Sequence, residues 1–388
     1  MRKTVLVIAA LFMAACATHP VTHHKPLTTL APEQKEDVVQ KALTLDDGQA
    51  LAAVEFAARV TEAGGNVTFV FGDERPFAQC HASTITQTPD GAFIAAWFAG
   101  TEEKHPDVGI WMARYVDGAW TPAILAAKVE EVAHWNPVLF TDAEGEAHLF
   151  FKVGPEISHW RTYWMSSSDG GIVWSEPREL VAGDEGGRGP VKNKPIILSD
   201  GTWLAPASTE QQRWEAFADR SADRGLTWQR SDDFMIDRNI FRGKGAIQPT
   251  FWESSPGRVH ALVRTGAGRA WRTDSVDHGM TWTPVYDSGL PNNNSGLDAL
   301  LLEDGRLLLV LNPIGVNWGP RTPLSLTMSR DNGDTWTLLA HFEDDPAETR
   351  FEYSYPAIVR TREGIAVSYT YKRERVRCWI IPLAAIPE

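Results

Sequence analysis

Six glycines that each close an apolar hairpin, Gly91, Gly145, Gly201, Gly257, Gly305 and Gly364, set a frame in which polar side chains recur at constant offsets. Nine residues before them stand Ala82, Asn136, Lys192, Gln248, Gly296 and Tyr355, with His81 preceding the first and Asn294-Ser295 preceding the fifth. Seven residues after them stand Phe98, Lys152, Ser208, Arg264, Asn312 and Tyr371. A constant offset means a constant height along paired strands, so both sets gather at one end of the hairpins. Polar groups inside apolar strands are costly unless partnered, and a ring of them around one axis signals a binding site. The chain carries a formal charge of −13, yet Lys152, Lys192, Lys194, Arg264 and Arg321 fall around this ring, which implies an anionic ligand. Taken singly, each of these cations could equally pair with a local acid or carry its head to solvent. His81 titrates near neutral pH and suits proton transfer, or else it ends its strand with a hydrogen bond.

The elements that must hold this ring are set by an eight-residue pattern, Ser-x-Asp-x-Gly-x-x-Trp, which begins at Ser167, Ser221, Ser275 and Ser329, 54 residues apart each time. A repeat of that length is one supersecondary unit that must stack on its neighbours. Its Asp and Gly suit a tight turn, while Trp174, Trp228, Trp282 and Trp336 supply apolar area between units. Trp120, after Asp117-Gly118, reads as a degenerate further copy. Six hairpins imply six blades, so the expected fold is an all-β six-bladed β-propeller. The last blade lacks an outer strand near the C-terminus, and Asn66 to Phe71 is expected to supply it, closing the ring and protecting the sheet edges.

The N-terminus reads as an export signal. Arg2 and Lys3 precede an apolar run from Thr4 to Met13, too short to span a membrane, and then Ala14-Ala15-Cys16, where Cys16 is the expected lipidation site. Residues 1–16 are therefore expected to be a lipoprotein signal peptide, 17–63 a tether with a helix at Glu33 to Leu43 or Gln49 to Glu62, and 64–388 the propeller. This implies an exported chain held to the bacterial outer membrane through a lipid anchor only. Cys80 and Cys378 could bridge the first and last blades. No basic stripe with interleaved aromatics suggests nucleic acid. No His or Cys cluster has ligand spacing, so neither a metal nor another cofactor is expected. A monomer is expected.

These boxes, the blade count and the polar ring resemble the sialidase superfamily, and in particular its bacterial BNR-repeat, sialidase-like branch. The resemblance spans residues 66 to 385 and rests on His81-Ala82-Ser83-Thr84, Trp135-Asn136-Pro137, Val191-Lys192-Asn193-Lys194-Pro195, Tyr353-Ser354-Tyr355-Pro356 and Tyr369-Thr370-Tyr371. It implies an exo-acting glycosidase that cleaves a terminal acidic sugar from a glycan. Three arginines would clamp the sugar carboxylate, for which guanidinium forks are suited, and here Arg75, Arg264 and Arg321 resemble them. Tyr355 resembles the nucleophile, and Glu102, Glu103 or Asp107 the acid. Gln248 stands where the resemblance calls for an activating glutamate, and a neutral amide cannot take the Tyr355 proton. Related propellers that act at rhamnose-glucuronate linkages offer a second reading, a lyase or hydrolase with His81 as base. A non-catalytic glycan-binding lipoprotein is the third.

Overall fold

The computed structural model describes residues 50–241, 243–345 and 352–387, and the signal peptide, Cys16 and the proposed helix at Glu33 to Leu43 lie outside them. Six antiparallel sheets follow one another along the chain. Blade 1 is built on Gln79–Gln87 and Phe93–Gly100, blade 2 on His134–Thr141 and Ala147–Val153, and blade 3 on Ile196–Ile197 and Trp203–Glu210. Blade 4 is built on Ala246–Ser255 and Arg258–Thr265, blade 5 on Asp298–Leu301 and Leu307–Leu311, and blade 6 on Tyr353–Arg360 and Gly364–Tyr371. Each inner hairpin turns at one of the six glycines of the sequence frame.

Asn66–Phe69 pairs with Arg375–Pro382 as the fourth strand of blade 6, with Thr68 opposite Cys378. Closure is reinforced by the helix Ala53–Glu62, whose Phe56 and Val60, one turn apart, are buried. Phe56 stacks on Trp379 at 5.3 Å and meets Phe342 edge-on at 5.7 Å, so the helix seals the seam between blades 5 and 6. Among the described residues no helix is long and apolar enough to cross a membrane.

The four boxes share one hydrogen-bond scheme. In the first, Ser167 Oγ donates to Asp169 Oδ1 at 2.8 Å and accepts the Gly171 N–H at 2.9 Å, while Asp169 accepts the Val173 N–H. Gly171, Gly225, Gly279 and Gly333 all adopt positive φ, where a side chain would be strained. A Cβ on Gly225 would also lie 2.9 Å from the Trp203 ring. Trp228 packs on Phe150 of the preceding blade, and Trp282 stacks on Phe251 at 5.4 Å. Trp120 departs from the expectation of a further box: Asp117 and Gly118, at φ 51° and 84°, form a two-residue hairpin turn that pairs Val116 with Ala119 and Tyr115 with Trp120. Cys80 and Cys378 are both buried and both free thiols, so no bridge joins the first and last blades.

Candidate functional site

One backbone device builds the site four times. In blades 1, 2, 4 and 6 the innermost pair slips register at Ala82-Ser83, Asn136-Pro137, Gln248-Pro249 and Tyr355-Pro356. The first residue of each slip has positive φ, at 52°, 38°, 52° and 53°. These are β-bulges, which re-aim a side chain, and each non-glycine residue held left-handed costs about 1 kcal/mol. Four repetitions of a costly conformation at one height mark a functional ring. The bulge position is the one found nine residues before the turn glycine.

Tyr355, Gln248 and Arg264 meet there. Arg264 Nη1 donates to the Tyr355 hydroxyl oxygen at 2.7 Å and to Gln248 Oε1 at 3.0 Å, and its Nε donates to Asn294 Oδ1 at 2.8 Å. With Oε1 committed to the donor-only guanidinium, Gln248 must turn its NH₂ the other way. That Nε2 lies 3.4 Å from the Tyr355 oxygen and 3.3 Å from Glu210 Oε1. Two donors thus converge on the phenolic oxygen. Arg264 is only 3% exposed, and among the described residues it forms no ion pair. Its guanidinium also lies within 6 Å of the rings of Trp214, Trp318 and Tyr355, at 5.7, 5.6 and 5.7 Å. Trp318 is 61% exposed beside it, a flat apolar platform at the mouth.

On the other side of Tyr355 the His81 ring lies 4.3 Å away, centroid to centroid. His81 Nδ1 is 2.9 Å from Thr370 Oγ1 and 3.4 Å from the Glu352 carboxylate, so the acceptors facing Nδ1 assign the proton to it and leave Nε2 with the lone pair. Burial, and then the Arg373 guanidinium, push the imidazole well below its usual value, so it is neutral at physiological pH. Burial opposes ionisation of Glu352 too, but its neighbours His81, Arg321 and Arg373 together outweigh it and hold the carboxyl well below the glutamate range. Arg321 pairs with Glu352 and reaches Ser354, while Arg373 bridges Glu352 at 2.8 Å and Glu103 at 2.5 Å. Arg321 also faces the Tyr355 ring at 5.7 Å. A small cleft beside this chain is lined by His81, Phe98, Glu102, Glu103 and Arg373.

Several residues expected to meet the ligand are held by other partners or lie away from the cluster. Lys152 is fully buried, its ammonium consumed by Thr162 Oγ1 at 2.6 Å and the carbonyls of Gly187 and Arg188, and burial brings its pKa down to about 7. Lys192 lies against Gly296 and Tyr355, donating to Asn193 Oδ1 and to the carbonyls of Leu297 and Pro356, and burial likewise brings it to about 7. Lys194 is paired with buried Asp298 at 3.0 Å. These three lysines are framework. Among the described residues Arg75 donates to the carbonyls of Asp73 and Ala78, outside the cluster, while Arg373, paired with Glu352 and Glu103, is the guanidinium that stands beside Arg321. Tyr371 packs on Phe69 and Tyr353, because side chains alternate along a strand and Thr370 is the one that faces His81. Asp107 caps its own loop through Thr101. Asn136 holds the blade 2 bulge, and Glu102 is exposed at the cleft's edge.

Glu210, Arg373, Glu352, Trp214 and Trp318 were not among the expected residues. Glu210 and Arg373 both stand nine residues after their turn glycines, one strand repeat beyond the seven-residue set, so the same frame extended by two positions contains them. Among the described residues, Asp142, Glu146 and His148 bring ligand atoms within 4.8 Å of one another, far from this ring in sequence frame and at the hairpin-turn end of blade 2. Both His148 nitrogens face partners, Trp164 Nε1 and Asp142, and Arg224 stands 2.8 Å from Asp142, so a guanidinium already supplies the cation.

A six-bladed propeller with boxed blade corners and arginines gathered around Tyr355 defines the class. The chain belongs to the BNR repeat-like domain family, which matches residues 91–367, more than half of the sequence. Its solved neighbours share the sialidase-like fold. A Dyadobacter fermentans protein of unknown function has 18% identity and a TM-score of 0.65 over 82% of this chain and 99% of its own. The Hadza microbial sialidase Hz136 has 17% identity and a TM-score of 0.66 over 83% and 69%. The NanB sialidase of Streptococcus pneumoniae has 15% identity and a TM-score of 0.64 over 83% and 71%. At such identities the likeness carries the fold. No curated protein matches the chain.

Proposed function

We propose that the protein is an exo-acting carbohydrate-active enzyme that binds a terminal acidic sugar of a glycan at the Arg264–Tyr355 cluster and cleaves its glycosidic bond. The observation that carries this reading is Arg264, a buried guanidinium with no carboxylate partner among the described residues, held against a tyrosine hydroxyl. An unpaired buried cation is costly, and a ligand carboxylate removes that cost while gaining charge-assisted hydrogen bonds. Trp318, exposed beside Arg264, offers a face for the sugar ring.

In the hydrolytic reading the Tyr355 oxygen attacks the anomeric carbon as the leaving glycan takes a proton from Glu102, the exposed carboxyl at the cleft, and water then resolves the glycosyl-enzyme. The Tyr355 proton passes to neutral His81, and charge growing on the oxygen is met by Arg264 and Gln248. This assigns to His81 the acceptor role that the Gln248 amide cannot fill. A second reading, elimination at a uronate, is favoured by the same pair: Arg264 neutralises the carboxylate, and His81 with Tyr355 moves the proton. A sialoside and a rhamnosyl-glucuronate oligosaccharide distinguish them. Release of free sialic acid supports hydrolysis, new ultraviolet absorbance from an unsaturated uronate supports elimination, and binding without either supports a glycan-binding module. No binding and no product would refute the proposal.

The sequence-based expectation that the chain is exported and tethered through Cys16 accords with a glycan substrate, and it rests on residues outside the described ones.

A further inference from the structure

Glu210 is the one carboxylate that touches the Arg264–Gln248–Tyr355 cluster without being held in an ion pair among the described residues. It ends the strand Trp203–Glu210, two residues beyond Ser208, whose Oγ accepts the Gln248 backbone N–H at 3.2 Å. The same strand therefore grips Gln248 twice, at its backbone through Ser208 and at its side chain through Glu210. Arg264 takes the amide oxygen and Glu210 takes the amide N–H, which leaves one orientation for the group. In that orientation the NH₂ faces the Tyr355 oxygen.

We propose that Glu210 is a positioning residue that, through Gln248, holds a hydrogen-bond donor on the Tyr355 oxygen, and that its ionisation state sets whether that donor is in place. The carboxylate expected at position 248 has in effect moved to the neighbouring blade, with the amide interposed. Ionised, Glu210 accepts from Gln248 and locks it. Protonated, it loses the charge that holds the Gln248 N–H, and the amide is left anchored by Arg264 alone, free to shift away from the Tyr355 oxygen. The groups that face Glu210 are Arg264 and Gln248 from blade 4, Lys152 from blade 2 and Glu103 from the loop of blade 1. Burial, with Glu103 assisting, raises its carboxyl above the usual glutamate value and Arg264 and Lys152 oppose this, so the change falls above the range of an ordinary glutamate.

This inference rests on the proposed function for its catalytic consequence but not for its physical test. In protein labelled with nitrogen-15 at glutamine, the Gln248 side-chain NH₂ signal, assigned by its loss in Gln248→Met, is expected to move in one step as pH falls, and Glu210→Gln is expected to abolish that step. A Gln248 signal that does not titrate, or that titrates unchanged in Glu210→Gln, overturns the inference whether or not the protein cleaves anything. Should Glu210→Gln fail to fold, Glu210→Asp is expected to keep the step at a shifted pH, and an unshifted step overturns it equally. On whichever acidic glycoside the wild type cleaves, Glu210→Gln is expected to lower kcat at least tenfold with KM unchanged and to remove the acid limb of the pH profile. An unaltered kcat profile contradicts it. A wild type that cleaves neither substrate while the step is present refutes the proposed function and leaves the positioning role standing.

Discussion

Arg264 and Tyr355 come from strands of blades 4 and 6, separated by most of a hundred residues of chain, yet the guanidinium Nη1 stands 2.7 Å from the phenolic oxygen. The contact joins the place where a carboxylate can be bound to the group that can do chemistry on the same sugar. Neither residue achieves this alone: Tyr355 is aimed by its bulge, and Arg264 is braced by Asn294 and Gln248.

Removing the hydroxyl should separate binding from chemistry. Tyr355→Phe keeps the ring that packs on His81 and loses the atom that Arg264 and Gln248 address. Turnover is expected to fall at least about hundredfold, the scale of a positioned proton-transfer or nucleophilic group, with affinity for an acidic sugar changed far less. Steady-state kinetics with calorimetric binding check both halves.

His81→Ala should lower turnover by about a hundredfold or more, while Gln248→Glu places a second carboxylate beside Glu210 and Tyr355. If His81 is the acceptor, Gln248→Glu weakens binding of an acidic sugar by repulsion and does not raise its turnover. A rise in sialoside turnover in Gln248→Glu, with His81→Ala near wild type, would return the activating role to position 248.

The framework lysines predict a different phenotype. Lys194→Ala leaves Asp298 buried without its cation, and loss of one partner of a buried pair costs about 3–5 kcal/mol. Thermal unfolding should show that loss, while the affinity of whatever protein remains folded for an acidic sugar stays within about twofold of wild type. A lost affinity without lost stability would put Lys194 back among ligand contacts.

Stability should fall on mild acidification. Burial lowers His134 from its ordinary value of 6.5 to about 4, and it lowers His81 and His148 in the same direction. The unfolded chain therefore binds more protons than the fold between these values, so this contribution is full above pH 6.5 and is lost as pH falls toward 4. His134→Gln is expected to flatten the fall in melting temperature between those limits, and an unchanged slope would locate the acid sensitivity elsewhere.

The fold was legible because its signals are periodic. Four boxes and six turn glycines fix blade number and strand height without any contact being known. The offset that singled out Gln248 and Tyr355 works because the bulge recurs at that height. What the frame could not tell is which way a cation turns. Lys152 and Arg264 occupy equivalent positions, but the Gly187–Arg188 backbone comes within reach of the lysine head and absorbs it, whereas Arg264 meets only neutral partners. Likewise Tyr371 is one residue from Thr370, and strand alternation alone places the threonine on the site and the tyrosine away from it. Trp120 misled for a local reason, since Asp-Gly serves a two-residue hairpin as readily as a box.

The central claim is that Arg264 receives a sugar carboxylate beside Tyr355. Calorimetric titration of wild type and Arg264→Ala with sialic acid and with glucuronate, each beside its methyl ester, tests it without requiring turnover. The account predicts that one of the acids binds, that its ester binds at least about tenfold more weakly, and that Arg264→Ala costs about 2 kcal/mol or more for the acid and erases the difference between acid and ester. Equal binding of acid and ester by the wild type, or an acid preference that survives in Arg264→Ala, would contradict it.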